Sequence, residues 1–254
     1  MTLPAPFRWD GPHVAADLPG GHVLFSTRRG GVSGGPYASL NLGRRTGDDP
    51  AAVDRNRDRL AEQIGVPWSA IAFGRQVHGA EVEHVTGPPA DEVPGPRADR
   101  EVREVDGQVT AAHGVAALVF TADCLPIALV ADGAVASLHG GWRGLAEGIV
   151  AAGVRALRDA GARGPIAAAL GPSARGCCYE VGVEVHARFT AHDARVGARN
   201  LALDIVATDQ LRAAGVEAVH DTGLCTMCAD DELFFSHRRD RGVTGRQAGV
   251  AWRA

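Results

Sequence analysis

The chain has 254 residues, 45% of them apolar and 22% charged, with a mean hydropathy of −0.05, which is enough apolar material for a soluble core in one large domain or two tightly joined ones. A formal net charge of −4 argues against nucleic acid as the main partner, and because all 26 basic side chains are arginine, lysine Schiff-base chemistry is excluded. Residues 1–20 lack the basic and apolar blocks of a signal peptide, no stretch approaches a membrane span, and five cysteines, an odd number, fit a reducing cytoplasm better than a disulfide framework.

In chain order, a strand is predicted at residues 23–26. It delivers the glycine-rich loop 27–36, which carries Arg28 and Arg29. Backbone N–H groups of such a loop can cradle an anion with arginine help, or the loop can be a plain connector. Residues 51–64 form an amphipathic helix, with Val53, Leu60 and Ile64 at helical spacing and Gly65 as its stop. A short strand at 71–73 leads to Arg75-Gln76-Val77-His78-Gly79, and 82–85 is another strand. Residues 88–100, rich in Pro, Asp and Arg, read as an exposed loop, and 106–110 turns back into the centre of the chain.

The central stretch is 121–143. Two buried strands, 115–120 and 127–130, flank Asp123-Cys124, and a third ends at His139 before Gly140-Gly141-Trp142-Arg143-Gly144. Then come a helix at 147–160, a strand at 166–170, Cys177-Cys178-Tyr179-Glu180 opening onto a helix at 183–190, a helix at 204–214 and a strand at 216–220. Strands and helices mix without strict alternation, so the expected class is α+β and not a doubly wound sheet.

His78, Cys124 and His139 each follow a predicted strand, beside glycine or in a turn. Two imidazoles and a thiol suit Zn²⁺, and three protein ligands leave a fourth position open. The alternative is three unrelated polar residues at loop ends. Cys225-x-x-Cys228 stands as a lone pair: a structural zinc needs a second pair, and the adjacent Cys177-Cys178 is poor ligand geometry. These four are therefore expected to be buried structural thiols. The other histidines, His13, His22, His84, His113, His186, His192 and His220 among them, have no motif around them.

The segments Thr27-Arg-Arg-Gly-Gly-Val-Ser, Ser39-Leu-Asn-Leu-Gly, Gln76-Val-His-Gly, Ala122-Asp-Cys-Leu-Pro, His139-Gly-Gly-Trp-Arg-Gly and Leu170-Gly-Pro resemble the YfiH family, also called the laccase-domain or polyphenol-oxidoreductase family. So do Cys178-Tyr-Glu-Val, Cys225-Thr, Phe235-Ser-His-Arg-Arg and Thr244-Gly-Arg, in the right order over nearly the whole chain. The resemblance implies a single α+β domain over residues 1–254, like that of a bacterial toxin deamidase, and a Zn²⁺ site at His78, Cys124 and His139, with copper possible. It implies purine nucleoside phosphorolysis, with adenosine deamination and methylthioadenosine phosphorolysis as companions. The laccase label fits less well: multicopper oxidases need paired H-x-H arrangements, and none of the ten histidines forms one.

Phosphorolysis needs a phosphate site, and arginine holds phosphate in a planar fork. Arg143, four residues past His139, is the first candidate, with Arg28, Arg29 and Arg75 beside it. Deamination needs a carboxylate to carry protons, for which Asp123 and Glu180 are candidates. Asp123 could instead orient His78 or His139. Asn41 and Gln76 are candidates for ribose or base contacts. The expected partners are purine nucleosides and phosphate, with no nucleic acid and no membrane, for a cytoplasmic monomer or weak homo-oligomer. Rival readings are a cysteine hydrolase with Cys124 as nucleophile and His139 as base, an editing enzyme of cell-wall precursors, and a metal-binding scaffold without activity.

Overall fold

The computed structural model describes residues 2–88, 103–216, 218–230 and 232–253. The chain begins with β1 (Arg8–Asp10), β2 (His13–Leu18), β3 (Gly21–Phe25), helix α1 (Pro50–Ile64), β4 (Ile71–Ala72) and β5 (Val82–Val85). It continues through β6 (Gly107–Thr110), β7 (Ala116–Thr121), β8 (Leu125–Asp132), β9 (Ala134–Gly140), α2 (Trp142–Glu147), α3 (Ile149–Asp159) and β10 (Arg163–Leu170). Helix α4 (Val183–His186), the hairpin β11 (Arg195–Val196) and β12 (Asn200–Leu201), α5 (Leu203–Ala213), β13 (Ala218–Asp221) and β14 (Gln247–Trp252) complete it.

Two six-stranded sheets, ordered β1-β2-β3-β14-β7-β4 and β13-β10-β8-β9-β6-β5, lie face to face. Most neighbours are antiparallel; β4–β7, β5–β6 and β10–β13 are parallel. The period-2 alternation of strands sorts their side chains into layers. On β8, Leu125, Ile127 and Leu129 point to the α3/α5 side, where they pack with Ile149, Val154, Leu157 and Leu211. Ala128 and Val130 point the other way, against Val14, Val23 and Phe25 of the first sheet. The outer face of that sheet is covered by α1 through Leu60, Ala61 and Ile64. The result is helix, sheet, sheet, helix, an α+β arrangement.

The space between the sheets is narrow. A Cβ on Gly249 would stand 2.6 Å from Pro126 Cβ, and one on Gly171 would stand 2.5 Å from Phe25 Cδ1, so the Phe25 ring fits only because both positions lack a side chain. Helix α1 starts at Asp49, whose Oδ1 accepts the Ala51 N–H at 3.0 Å, with Pro50 at its first position. It stops at Gly65 in the left-handed conformation.

Several sequence expectations need correction. The helix expected at 147–160 is α3, and a separate helix, α2, precedes it from Trp142, the two parted at Gly148 with φ of 93°. The helix at 183–190 is one turn of α-helix followed by a 3₁₀ turn over Ala187–Phe189. The loop at 88–100 lies, beyond Pro88, outside the described residues. Strands β1, β2, β6, β11, β12 and β14 were not anticipated; β2 carries two alanines and β14 two alanines and a glycine, residues with little strand signal until a facing sheet buries them.

Candidate metal centre and its cavity

Antiparallel pairing sets Pro126 opposite His139 and Leu125 opposite Gly140, so the start of β8 and the end of β9 lie side by side. Cys124 immediately precedes β8, and His78 arrives on the loop after β4. Their ligand atoms and that of His139 all lie within 4.8 Å of one another. The two imidazoles meet edge-on, with centroids 4.9 Å apart and planes at 68°. Two non-glycine residues here have left-handed backbone, His78 at φ 64° and Asp123 at φ 94°, and the surrounding hydrogen bonds hold them there.

The residue that organises the cluster is Asp106, buried just before β6. One oxygen, Oδ1, accepts from the His78 backbone N–H at 2.9 Å and stands 2.7 Å from His139 Nδ1. Oδ2 accepts the backbone N–H groups of Val77 at 2.9 Å and Gly79 at 2.8 Å. Burial alone would raise this carboxyl, but His139 and those amides hold it below the usual carboxylate range. With Nδ1 of His139 committed to Asp106, Nε2 is the nitrogen left for a metal, the arrangement that second-sphere carboxylates impose on metal-binding histidines.

The donor set fits a zinc ion: two imidazoles and a thiol, with Asp106 holding His139 by the nitrogen a metal would not take. Space also fits. A Cβ on Gly141 would stand 3.0 Å from His78 Cδ2 and 3.3 Å from Cys124 Sγ, so glycine lets the turn after β9 close over the donors. Burial raises the Cys124 thiol, but His139 and His78 outweigh it and bring it to about 6. Burial lowers His139, but Cys124 and Asp106 lift it to about 9. The pair therefore favours a thiolate, the form a metal binds.

The cluster opens into a cavity of about 450 Å³. Its walls carry aromatic rings from Trp68, Phe73, Phe120 and Tyr179, and arginines at 44, 45, 57, 75, 238 and 246. That size and mixed lining suit a small planar ligand bearing anionic or hydroxyl groups. Arg57 lies over the rings of Trp68 and Phe73, at 4.8 and 5.4 Å from their centroids, and Arg238 lies 4.8 Å from that of Tyr179. Burial lowers the Arg246 guanidinium, against the pull of Cys124 and Asp123.

The structure brings together His78, Cys124, His139, Asp123, Arg75 and Gln76 at this cavity and leaves the other candidates outside its lining. Asp123 does not orient a histidine: its Oδ1 accepts from Thr226 Oγ1 at 2.7 Å and its Oδ2 from the Arg238 backbone N–H at 2.8 Å. Gln76 turns both ends of its amide to the backbone of Phe120, at 2.8 Å each, which positions the loop. Arg75 is exposed at the rim and pairs with Glu104 at 2.6 Å.

Arg143 is exposed on α2, stacked 4.5 Å from the Trp142 ring centroid. Glu180 points to the surface and pairs with Arg199 at 2.8 Å. In the glycine-rich loop the N–H groups of Gly31, Val32 and Ser33 bond to Ser39 Oγ, Asn56 Oδ1 and Ser39 O, so no anion cradle forms. Arg28 donates to the Ala38 carbonyl at 2.6 Å, and Arg29 pairs with Asp230 at 3.1 Å. Asn41 is fully buried and ties Thr46, Asp48 and Arg246 together through its amide. The cysteines outside the cluster also differ from expectation: Cys177 and Cys228 are exposed, Cys178 and Cys225 half-buried, and all four sulfurs converge.

The residues that sequence reasoning missed are Asp106, Tyr179, His237, Arg238 and Arg246. Tyr179, His237, Arg238 and Arg246 sit inside the family-like segments quoted above, which was the available signal; Asp106 showed only as part of a turn.

Residues 22–254 match the family model described as multi-copper polyphenol oxidoreductase laccase. A protein of Streptomyces coelicolor named purine nucleoside phosphorylase is 42% identical over 243 residues, covering 92% of this chain and 96% of that protein. One of Xylella fastidiosa with the same name is also 42% identical, over 261 residues, covering 94% and 96%. Among solved structures, YlmD of Geobacillus stearothermophilus aligns with a TM-score of 0.87 at 35% identity over 98% of this chain and 99% of that one. YfiH of Bacillus licheniformis aligns at 0.85 and 30% identity over 99% and 100%.

Fold and site thus define a laccase-domain α+β protein with a two-histidine, one-cysteine centre. The chain belongs to the YfiH family, and the family name's several coppers find a single histidine-containing cluster among the described residues.

Proposed function

We propose that this chain is a zinc-dependent purine nucleoside phosphorylase acting on adenosine, inosine and methylthioadenosine, with adenosine deaminase activity at the same site. The observation that carries the reading is the His78–Cys124–His139 cluster opening into a cavity walled by aromatic rings and arginines. The names of the relatives at about 40% identity support it.

When bound by these three residues, zinc would supply Lewis acidity at the inner end of the cavity. The chain's own residues supply the rest. The rings of Phe73, Phe120 and Tyr179 offer a purine its stacking surfaces. Arg246 and Arg238, on the wall beside Asp123, take the phosphate-binding role that sequence alone gave to Arg143. Asp123 is the one carboxylate among the described lining residues, so it is the group placed to carry a proton for deamination. Its two hydrogen bonds, from Thr226 and Arg238, fix where that carboxylate points.

The test is to incubate purified protein with inosine and with adenosine, with and without phosphate. Hypoxanthine and ribose-1-phosphate should appear from inosine only when phosphate is present, and adenosine should also give inosine and ammonia. Free ribose released equally fast without phosphate would make the protein a hydrolase. Full turnover by metal-free protein, abolished by alkylating Cys124, would make it a cysteine hydrolase.

A further inference from the structure

β10 and β13 run parallel, with Ala167 to Leu170 paired to Ala218 to Asp221, so the loops that follow them leave one sheet edge side by side. The first loop carries Cys177 and Cys178, the second Cys225 and Cys228. Backbone bonds zip the loops together: Ser173 N–H donates to Leu224 O at 3.2 Å and Thr226 N–H to Ser173 O at 3.0 Å. Arg175 adds Nε to Leu224 O at 2.9 Å and Nη1 to Asp221 at 2.8 Å.

The four sulfurs come within 4.8 Å of one another. Cys177 and Cys228 stand 3.4 Å apart, as do Cys178 and Cys225, and Cys177 and Cys178 3.7 Å apart. Four thiolates each about 2.3 Å from one zinc form a tetrahedron with edges of about 3.8 Å, so the cluster needs only small shifts to close on an ion. Two of the sulfurs belong to exposed residues, which leaves an entry path from solvent.

We propose that Cys177, Cys178, Cys225 and Cys228 bind a structural zinc ion, separate from the His78–Cys124–His139 centre. Four thiols lose their protons and four S–Zn bonds form, with no oxidation or reduction. The set is closed: it has no open position for water and does no chemistry on a substrate. Its effect is to clip together a loop that lines the cavity and a loop that holds the cavity's Asp123. Tyr179, next to Cys178, lines the cavity, and Thr226, next to Cys225, holds Asp123 at 2.7 Å. The proposal rests on the four cysteines alone and stands whichever reaction the neighbouring cavity performs.

The test uses the full chain, purified reduced, loaded with Zn²⁺ and freed of excess metal. Zinc per chain is measured for the wild type, for Cys124→Ser, and for Cys177→Ser/Cys228→Ser. The wild type should hold one equivalent more than either variant, and only the double variant should lose thermal stability together with its zinc. Where the double variant fails to fold, Co²⁺ titration of Cys124→Ser decides: a tetrahedral four-thiolate spectrum with strong sulfur-to-cobalt charge transfer supports the site. A double variant with undiminished zinc overturns the proposal. So does a cobalt-loaded Cys124→Ser protein without thiolate bands, or a freshly isolated wild type whose mass is lighter by the four hydrogens of two disulfides.

Discussion

The loop at residues 27–36 and the segment at 139–144 both leave a β-strand with paired glycines and arginine. In the loop, polar groups are matched within the chain: amides to Ser39 and Asn56, Arg28 to Ala38, Arg29 to Asp230. In the segment, glycine brings the backbone against three donors, one of them the His139 imidazole, whose other nitrogen Asp106 holds. Glycines and arginines mark a site only where the chain leaves some polar group unmatched by its neighbours. Where every group already has a partner, the same composition builds scaffold.

The contrast can be broken by substitutions on either side. The largest effect on the fold is expected at Asp106→Ala, which removes three backbone hydrogen bonds to a buried carboxylate and the acceptor of His139. Stability should fall by about 3–5 kcal/mol and metal affinity by about 10–100-fold. Denaturant melts and zinc competition read the two losses, and unchanged affinity would remove Asp106 from the centre. His78→Asn comes next, because asparagine tolerates the left-handed backbone at this exposed position. The melting temperature should be nearly kept, so its effect on the fold is smaller, while metal binding and activity fall because one of three donors is gone.

On the scaffold side, His13 sits at the root of the arginine loop, where its Nδ1 accepts the Thr27 N–H at 3.2 Å. Burial lowers its imidazole from 6.5 to about 4 against the pull of Asp10, so the folded chain keeps it neutral. Between those values the unfolded chain binds a proton that the folded chain does not. Stability is therefore fully present above about pH 6.5 and falls by on the order of 3 kcal/mol as pH drops towards 4. Chemical melts across that window should show the slope, and His13→Asn should remove about one proton's worth of it. Arg28→Ala is smaller: it loses the Ala38 bond and the Phe235 ring contact, about 1–3 kcal/mol, with phosphate dependence unchanged. Smallest is Arg29→Ala, an exposed pair expected to cost below about 1 kcal/mol. A rise in phosphate KM for either variant would return the loop to the site.

The candidate metal ligands were legible because each follows a strand and stands beside glycine or in a turn, and because their segments match a family pattern. Asp106 was not, since its role comes from the β6–β9 register, which places it under His139, and no local spacing encodes that. Arginines for a phosphate site were expected near His139 in sequence, but α2 turns Arg143 outward, while Arg238 and Arg246, which line the cavity, arrive from the far end of the chain. Adjacent cysteines looked unsuited to a shared ion until the parallel β10–β13 pairing set the two cysteine loops side by side. The helix at 183–190 failed for a local reason: three of its first five positions are Val-x-Val and His, poor helix formers that hold one turn only.

Gln76 gives the centre a mechanical property. Its side-chain amide meets both the N–H and the C=O of Phe120, so it continues the β4–β7 ladder past the point where β4 ends at Ala72. His78, two residues on, is thereby yoked to the strand that leads into Cys124, although more than forty residues separate them in sequence. The two ligands should then move as one body, and the gap between them should resist breathing motions that open the rest of the loop. Amide hydrogen exchange would show this as strong protection at Phe120, lost together with slow metal release when Gln76 is replaced by alanine.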